Sequence, residues 1–459
     1  MIQPDPNITP RDLLPIIEKL WTASAAKISS IDRDEVPGNA TPVFTVAGKY
    51  TARGWTEWTQ GFVYGSALLQ YDATGDEAFL KLGRERTRDR MAHHITHLGV
   101  HDHGFNNVST YGNLLRLMAE EKIPFDPREK DFYELALKCS GAVQAARWTS
   151  TGNGGGYIYS FNGPHSLFAD TIRSLRALAV AHALGHTLMG EKDVRISLLE
   201  RLVKHARATA DYAVYYGEGR DAYDIRGRVA HESIFNTNDG SYRCPNSQQG
   251  FSPFTTWTRG LAWIVAGYPE QLEWLATVGD DELDPLGGRS DVESFFLKAA
   301  RAASDFYIEQ TPTDGIPYWD TGAPELHRLG DYLNRPAQIE NDWEPVDSSA
   351  AAIAAQGLIR LGRHLGNTPD GNRYLQAGLT VARTVLSEPY LSVSPDHQGL
   401  ILNSIYHLPN GWDYVPPGSK IPRGESSMWG DYHARELALY IQRLAGGEDY
   451  NFFRGVMPR

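Results

Sequence analysis

The sequence is poor in cysteine: Cys139 and Cys244 are the only two in 459 residues. That is too few for a secreted disulfide framework, and two buried thiols are the default expectation. A basic surplus is missing as well, with 44 Lys and Arg against 56 Asp and Glu, a formal charge of -12 and a pI near 5.7. This balance excludes a nucleic-acid or anionic-membrane surface, which needs a basic face to release counterions. No apolar run has the length needed to cross a bilayer. The first residues, MIQPDPNITPRDLLPIIEKLW, hold no basic segment followed by an apolar one, so a cytoplasmic protein without a signal peptide is expected.

What is present is an ordinary globular composition, 41% apolar and 22% charged. A chain this long can bury a large core, and it reads as a single domain over 1–459. Strand-like alternation is scarce, whereas spacings of three and four between apolar residues run from end to end. DEAFLKLGRERTRDRMAHHITHL, ADTIRSLRALAVAHALG, VRISLLERLVKHARATADYAVYY and TRGLAWIVAGYPEQLEWLATV are examples, within roughly a dozen helices. Short breakers join several of them: Gly75 stops one helix and Asp76 caps the next, while Gly366, Pro369 and Gly371 act alike further on. About six antiparallel hairpins suggest an all-α toroid, the (α/α)6 barrel, with a long irregular bundle as the alternative.

Three long loops interrupt the helices: WTSTGNGGGYIYSFNGPHSLF, GEGRDAYDIRGRVAHESIFNTNDGSYRCPNSQQGFSPF and HLPNGWDYVPPGSKIPRGE. Loops beyond about 12–15 residues are functional or disordered, and the aromatics of these argue for function. Gathered on one rim, they would form a cleft of Trp, Tyr, His and amides suited to sugar rings.

The stretch HHITHLGVHDHGF sets His93, His94, His97, His101 and His103 around Asp102. His93 and His97 have the i, i+4 spacing that can hold zinc, but Gly99 ends the helix before His101 and no HExxH accompanies them. No metal and no cofactor is expected. Asp102 follows a helix and precedes Gly104, where it could face a cavity or cap the next helix; by pattern alone the cap is the plainer reading. Asp170 opens an apolar helix after a Gly/Asn-rich loop and is likewise either a cap or, beside another carboxylate, a proton donor.

Six segments in order carry a resemblance: WTEWTQGFVYG, HDHGF, FADTIRSL, SQQGFSPFTTWTRGLAW, VDSSAAAIAAQGLIRL and ESSMWGDYHARELAL. Together they resemble glycoside hydrolase family 88, the unsaturated glucuronyl hydrolases, across almost the whole chain. The resemblance implies an (α/α)6 barrel and a substrate that polysaccharide lyases leave, an oligosaccharide ending in a 4,5-unsaturated uronic acid. It implies Asp170 as general acid/base and Asp102 as the second essential aspartate, an anion that would hold the proton on Asp170. It places Trp58, His231, Gln249, Trp257, Arg259 and Trp263 around the unsaturated sugar, Arg259 facing its carboxylate; His101, which flanks Asp102, is a further substrate-binding candidate. Departures from the family pattern are Gln248 for His, Leu261 for Gln, and Ile172 and Arg173 for two methionines.

Lys420 and Arg423, in the third long loop, are candidates for an acidic group on the second sugar. The competing expectations are the neighbouring family 105, which releases rhamnose by the same chemistry, and a non-catalytic glycan-binding toroid whose aspartates are caps. A toroid is stable alone, so no oligomeric state follows.

Overall fold

Twelve helical segments alternate between two environments in the computed structural model, which describes residues 1–34, 40–52 and 57–457. In chain order they are α1 (Leu14–Arg33), α2 (Gln60–Thr74), α3 (Glu77–Arg90) and α4, a π-helix (Gly104–Gly112) running on into Asn113–Ala119. Then come α5 (Pro127–Ala146), α6 (Thr171–Ser174 and Arg176–Ala183), α7 (Leu198–Tyr212) and α8 (Thr258–Leu275). The last four are α9 (Arg289–Glu309), α10 (Ser348–Leu365), α11 (Pro369–Val385) and α12 (Met428–Gly446). The even-numbered helices are covered on every side: in α8 all residues but Glu273 are buried. The odd-numbered ones bury a stripe, as α5 does with Tyr133, Ala136, Leu137, Ser140, Gly141, Gln144 and Ala145.

That difference sorts them into two layers. Helices α2, α4, α6, α8, α10 and α12 pack side by side in that order, and α12 returns to α2, closing a ring. Outside it, α3 lies on α2, α5 on α4 and α6, α7 on α6, α9 on α8, α11 on α10, and α1 on α12 and α2. The result is the six-hairpin α/α toroid that the periodicity anticipates.

Local chemistry sets the hairpins. Gly75 ends α2 at φ 72°, a left-handed conformation, and the Asp76 side chain accepts the Ala78 amide at 3.0 Å to start α3. Two expected helices are shorter than their periodicity. The helix expected to reach the histidine run stops at Arg90, followed by one turn (Ala92–Ile95), because His94 turns inward to Gln60 Oε1 at 2.6 Å. The helix expected from Val194 begins at Leu198, since Arg195–Ser197 pairs with Thr187–Met189 as a hairpin and Ser197 becomes the cap. Both cysteines are free thiols, and the expectation of burial fails: Cys244 is exposed and Cys139 half-buried.

The ring is filled along its axis. Arg173 and Arg176 of α6 pair with Glu270 of α8 and Glu436 of α12, and Arg360 of α10 joins Glu270, all buried. Such charges are tolerable only because each faces an opposite one. The charge that Arg173 brings to the sequence is thus neutralised within the core.

Candidate active site

All six inner helices begin at the same end, and a cavity of about 200 Å³ lies there. Its wall includes Trp58 ahead of α2, Asp102 and Phe105 at α4, Asp170 ahead of α6, and Trp257, Arg259 and Trp263 at α8. The long loops supply Phe161, Gln248, Gln249, His407 and Trp412, with Tyr406 just ahead of the third. Helix N-termini carry partial positive charge, so the ring directs a field that favours an anion in this cavity.

A small sheet aligns one side of it. Strand β1 (Ser166–Phe168) pairs antiparallel with β2 (Glu232–Phe235), and β2 with β3 (Tyr242–Asn246). Phe168 faces Glu232 and the Ala169 amide reaches the His231 carbonyl at 2.9 Å, so Asp170 and His231 leave the sheet close together. Beyond β3 the chain folds back, and the amides of Gln248 and Gln249 donate to His231 Nδ1 at 3.1 and 3.2 Å. Nδ1 therefore accepts, and the ring hydrogen belongs on Nε2, which is buried without a hydrogen-bond partner among the described residues. Burial pushes the imidazole down to about 4, so it stays neutral.

Asp170 stands at the capping position of the first turn of α6, yet its side chain makes no capping bond. Its Oδ2 lies 3.5 Å from His101 Nε2, and its buried Oδ1 has no hydrogen-bond partner among the described residues. The same His101 nitrogen lies 3.7 Å from Asp102 Oδ1. Burial lowers the basicity of His101, but the charges of Asp102 and Asp170 outweigh it and the net shift is upward. For Asp170 burial pulls upward, while His101, its Nε2 3.5 Å away, prevails and leaves it below its ordinary value. Where Asp102 was expected to hold a proton on Asp170, an imidazole stands between the two carboxylates and draws Asp170 down. His101, Asp102 and Asp170 also form the one group among the described residues whose donor atoms, all within 4.8 Å, could share a cation.

The tryptophans line the cavity as one packed wall. Trp58 stacks on Trp429 at 5.0 Å, Trp263 leans on Phe105 at 4.9 Å, and Trp257 on His231 at 4.6 Å. Arg259 is sandwiched by Trp257 and Trp429 at 4.5 and 4.7 Å. Its guanidinium serves the protein: Nη2 donates to the Tyr406 carbonyl at 2.7 Å and to Gln249 Oε1 at 2.8 Å, and Nη1 to the Ile405 carbonyl and Asp347. A two-point grip on a substrate carboxylate, as anticipated for Arg259, would need those bonds broken. Lys420 and Arg423 are not brought to the cavity wall, being paired at the surface with Asp342 and Glu340.

The histidine run disperses. His93 is exposed, and His103 is tied by Nδ1 to Ser140 Oγ at 3.0 Å and by Nε2 to the His97 carbonyl at 2.9 Å. Trp55 and Thr56, which open the first resemblance segment, lie outside the described residues. Sequence reasoning missed Phe161, Tyr406, His407 and Trp412. Their signal was the aromatic content of the long loops, which marks the loops without singling out residues.

Fold and cavity define a class, the α/α toroids with a polar, tryptophan-walled chamber of sugar size. Within it the chain is a relative of the unsaturated glucuronyl hydrolases. It is 26% identical over 429 residues to the unsaturated glucuronyl hydrolase of Bacillus sp. (strain GL1), covering 88% of this chain and 91% of that one. The unsaturated glucuronyl hydrolase of Formosa agariphila is 25% identical over 394 residues, 84% of this chain and 80% of that one. A crystal structure of an unsaturated glucuronyl hydrolase specific for heparin superposes with a TM-score of 0.71 at 19% identity, covering 95% of this chain and 99% of that one. No family model matches the chain. No helix among the described residues is long and apolar enough to cross a membrane.

Proposed function

We propose that the chain is an unsaturated glucuronyl hydrolase of glycoside hydrolase family 88, removing a 4,5-unsaturated uronic acid from the non-reducing end of lyase-generated oligosaccharides. One observation carries this reading. Around a single chamber, buried polar atoms lack hydrogen-bond partners among the described residues: Asp170 Oδ1, both nitrogens of His101, Gln248 Oε1 and His407 Nδ1, with His231 Nε2 on a ring that packs against Trp257 of the wall. Buried polar groups are almost always paired, so such a cluster marks a site built for a polar ligand. Cavity size supports one sugar ring, and the helix N-termini favour an anionic one.

The chemistry starts at the enol ether formed by C4, C5 and the ring oxygen. Asp170 gives a proton to C4, leaving an oxocarbenium ion at C5. Water adds to C5 and returns a proton to Asp170, restoring the acid. The C5 hemiketal opens by breaking C5–O5, and the hemiacetal left at C1 expels the neighbouring sugar with a proton on its oxygen. The product is an open-chain keto acid. His101, raised by Asp102 and Asp170, is placed to pass a proton to Asp170 across 3.5 Å; the uronate carboxylate, a like charge beside Asp170, raises that carboxyl and favours the transfer. Asp102 keeps its charge near the developing cation, and His231 Nε2–H and the Gln249 amide hold the sugar. The separation rule for retaining and inverting glycosidases does not apply, since the anomeric carbon is not attacked.

The test is the ultraviolet absorbance of unsaturated glucuronyl disaccharides and an unsaturated galacturonyl-rhamnose disaccharide, with chelator in half the reactions, in ordinary and heavy water. A falling signal on the glucuronyl substrates, indifferent to chelator, with deuterium at C4 of the product, is expected. Turnover of the rhamnose conjugate alone would move the chain to family 105. Binding with no product would make it a glycan-binding toroid.

A further inference from the structure

The two turns that carry the aspartates touch. A Cβ at position 104 would run into the Ser174 carbonyl, so glycine alone lets the HDHG turn approach the start of α6 this closely. At the contact sits the Ser174 hydroxyl, fully buried, with three partners. It accepts the Gly104 amide at 3.0 Å and Gln144 Nε2 at 2.9 Å, and donates to the His101 carbonyl at 2.8 Å. Gln144 Nε2 reaches that same carbonyl at 2.6 Å. One turn back on α5, Ser140 Oγ meets His103 Nδ1 at 3.0 Å and Asn107 Nδ2 at 2.9 Å. An outer helix ordinarily turns an apolar stripe inward. Here α5 turns Ser140 and Gln144, spaced i and i+4, onto the one turn that holds Asp102.

We propose that Ser174, supported by Gln144, is a positioning residue that fixes the separation of Asp102 and Asp170. The inference rests on the roles assigned above to those aspartates. His101 Nε2 stands between the two carboxylates, and the hub grips the carbonyl of that same residue. Loosening the hub therefore shifts the imidazole and one carboxylate relative to the other. Ser174 and Gln144 are not on the cavity wall, so they act through the residues that are. A shift of the order of 1 Å in reacting groups costs about 10²-fold in rate.

Ser174→Ala removes one oxygen atom, and Ser304→Ala is the control, an equally buried serine on α9 whose hydroxyl has no hydrogen-bond partner among the described residues. Two quantities are read: kcat and KM on an unsaturated disaccharide that the unaltered protein consumes, and the ring ¹⁵N signals of His101 at fixed pH, which need no substrate. The expected result for Ser174→Ala is a kcat at least tenfold lower, KM within twofold, and displaced His101 signals. Adding Gln144→Ala should lower kcat little further, since one hub is already lost. The Ser304→Ala control should alter neither reading. Unchanged kcat together with unmoved His101 signals in Ser174→Ala would overturn the proposal, whatever happens to Tm. If the unaltered protein consumes no substrate, the proposed function fails, and the His101 signals alone decide the hub.

Discussion

Arg259 Nη2 donates to Gln249 Oε1 at 2.8 Å, which turns the amide nitrogen of Gln249 away from the guanidinium. Arg259 is therefore a brace for the cavity wall, joining Gln249 to the 405–406 loop segment and to Asp347. Lysine cannot reproduce the fork. Arg259→Lys leaves buried acceptors unmade, at about 1–3 kcal/mol each. The expected outcome is a lower Tm and a kcat/KM reduced by an order of magnitude or more. If Arg259 instead gripped the substrate alone, Tm would hold while KM rose, and thermal melts beside kinetics separate the two.

In the proposed mechanism His101 and Asp170 share one reacting proton, so activity should fall on the alkaline side as His101 loses it. Because Asp102 and Asp170 raise His101, that limb should lie above 6.5. Asp102→Asn removes one of the raising charges, and the limb should move to lower pH as well as kcat dropping. Asp170→Asn removes the proposed acid/base and should cost about 10²–10⁴-fold in kcat without unfolding the chain. A pH profile of kcat/KM checks both; an alkaline limb that stays put in Asp102→Asn would detach Asp102 from His101.

The helices were legible because burial imposes period: α5 and α11 show one apolar stripe, and α8, buried all round, still carries an unbroken helical run. Caps were legible too, since Asp76 and Gly75 act locally. The break after Arg90 was not, because it depends on His94 finding Gln60, a partner far along the chain. In the site, Asp102 and Asp170 were visible only through their motif setting, as each also suits a helix cap. The imidazole between them was adjacent to Asp102 in sequence, but its approach to Asp170 comes from the touching turns and from β1 meeting β2. Arg259 shows the converse limit: residue type suggested a carboxylate ligand, while Ile405 and Tyr406, just ahead of the third long loop, supplied carbonyls first.

Lys420 offers a clean negative. Its ammonium pairs with Asp342 Oδ2 at 2.8 Å on the surface, and both side chains are more than half exposed. Exposed pairs contribute about 0–1 kcal/mol. Lys420→Ala should leave the ratio of turnover on sulfated and unsulfated disaccharides unchanged. A loss of preference for the sulfated substrate would mean that the pair opens to receive it.

Acid should weaken this fold early, for a reason carried by its buried imidazoles. His103 and His231 are held down to about 4, and His205 and His433 to about 3, burial being the first cause in each. In the unfolded chain each returns to an ordinary value near 6.5. A group depressed by folding gives stability that is present above the unfolded value and lost as pH falls toward the folded one. Each of these four thus removes up to about 1.4 kcal/mol per pH unit below 6.5. Asp320 and Asp413 oppose this: burial raises both to about 6, so their contribution is present below the unfolded value and lost as pH rises through 6. The four histidines, with His94 and His407 also held down, outweigh Asp320, Asp413, Glu273 and His101, which are raised, and Tm should fall between pH 7.5 and 5.5. A scanning-calorimetry series over that interval decides it; a Tm that climbs toward pH 5.5 would mean that the imidazoles find protons or water inside the fold.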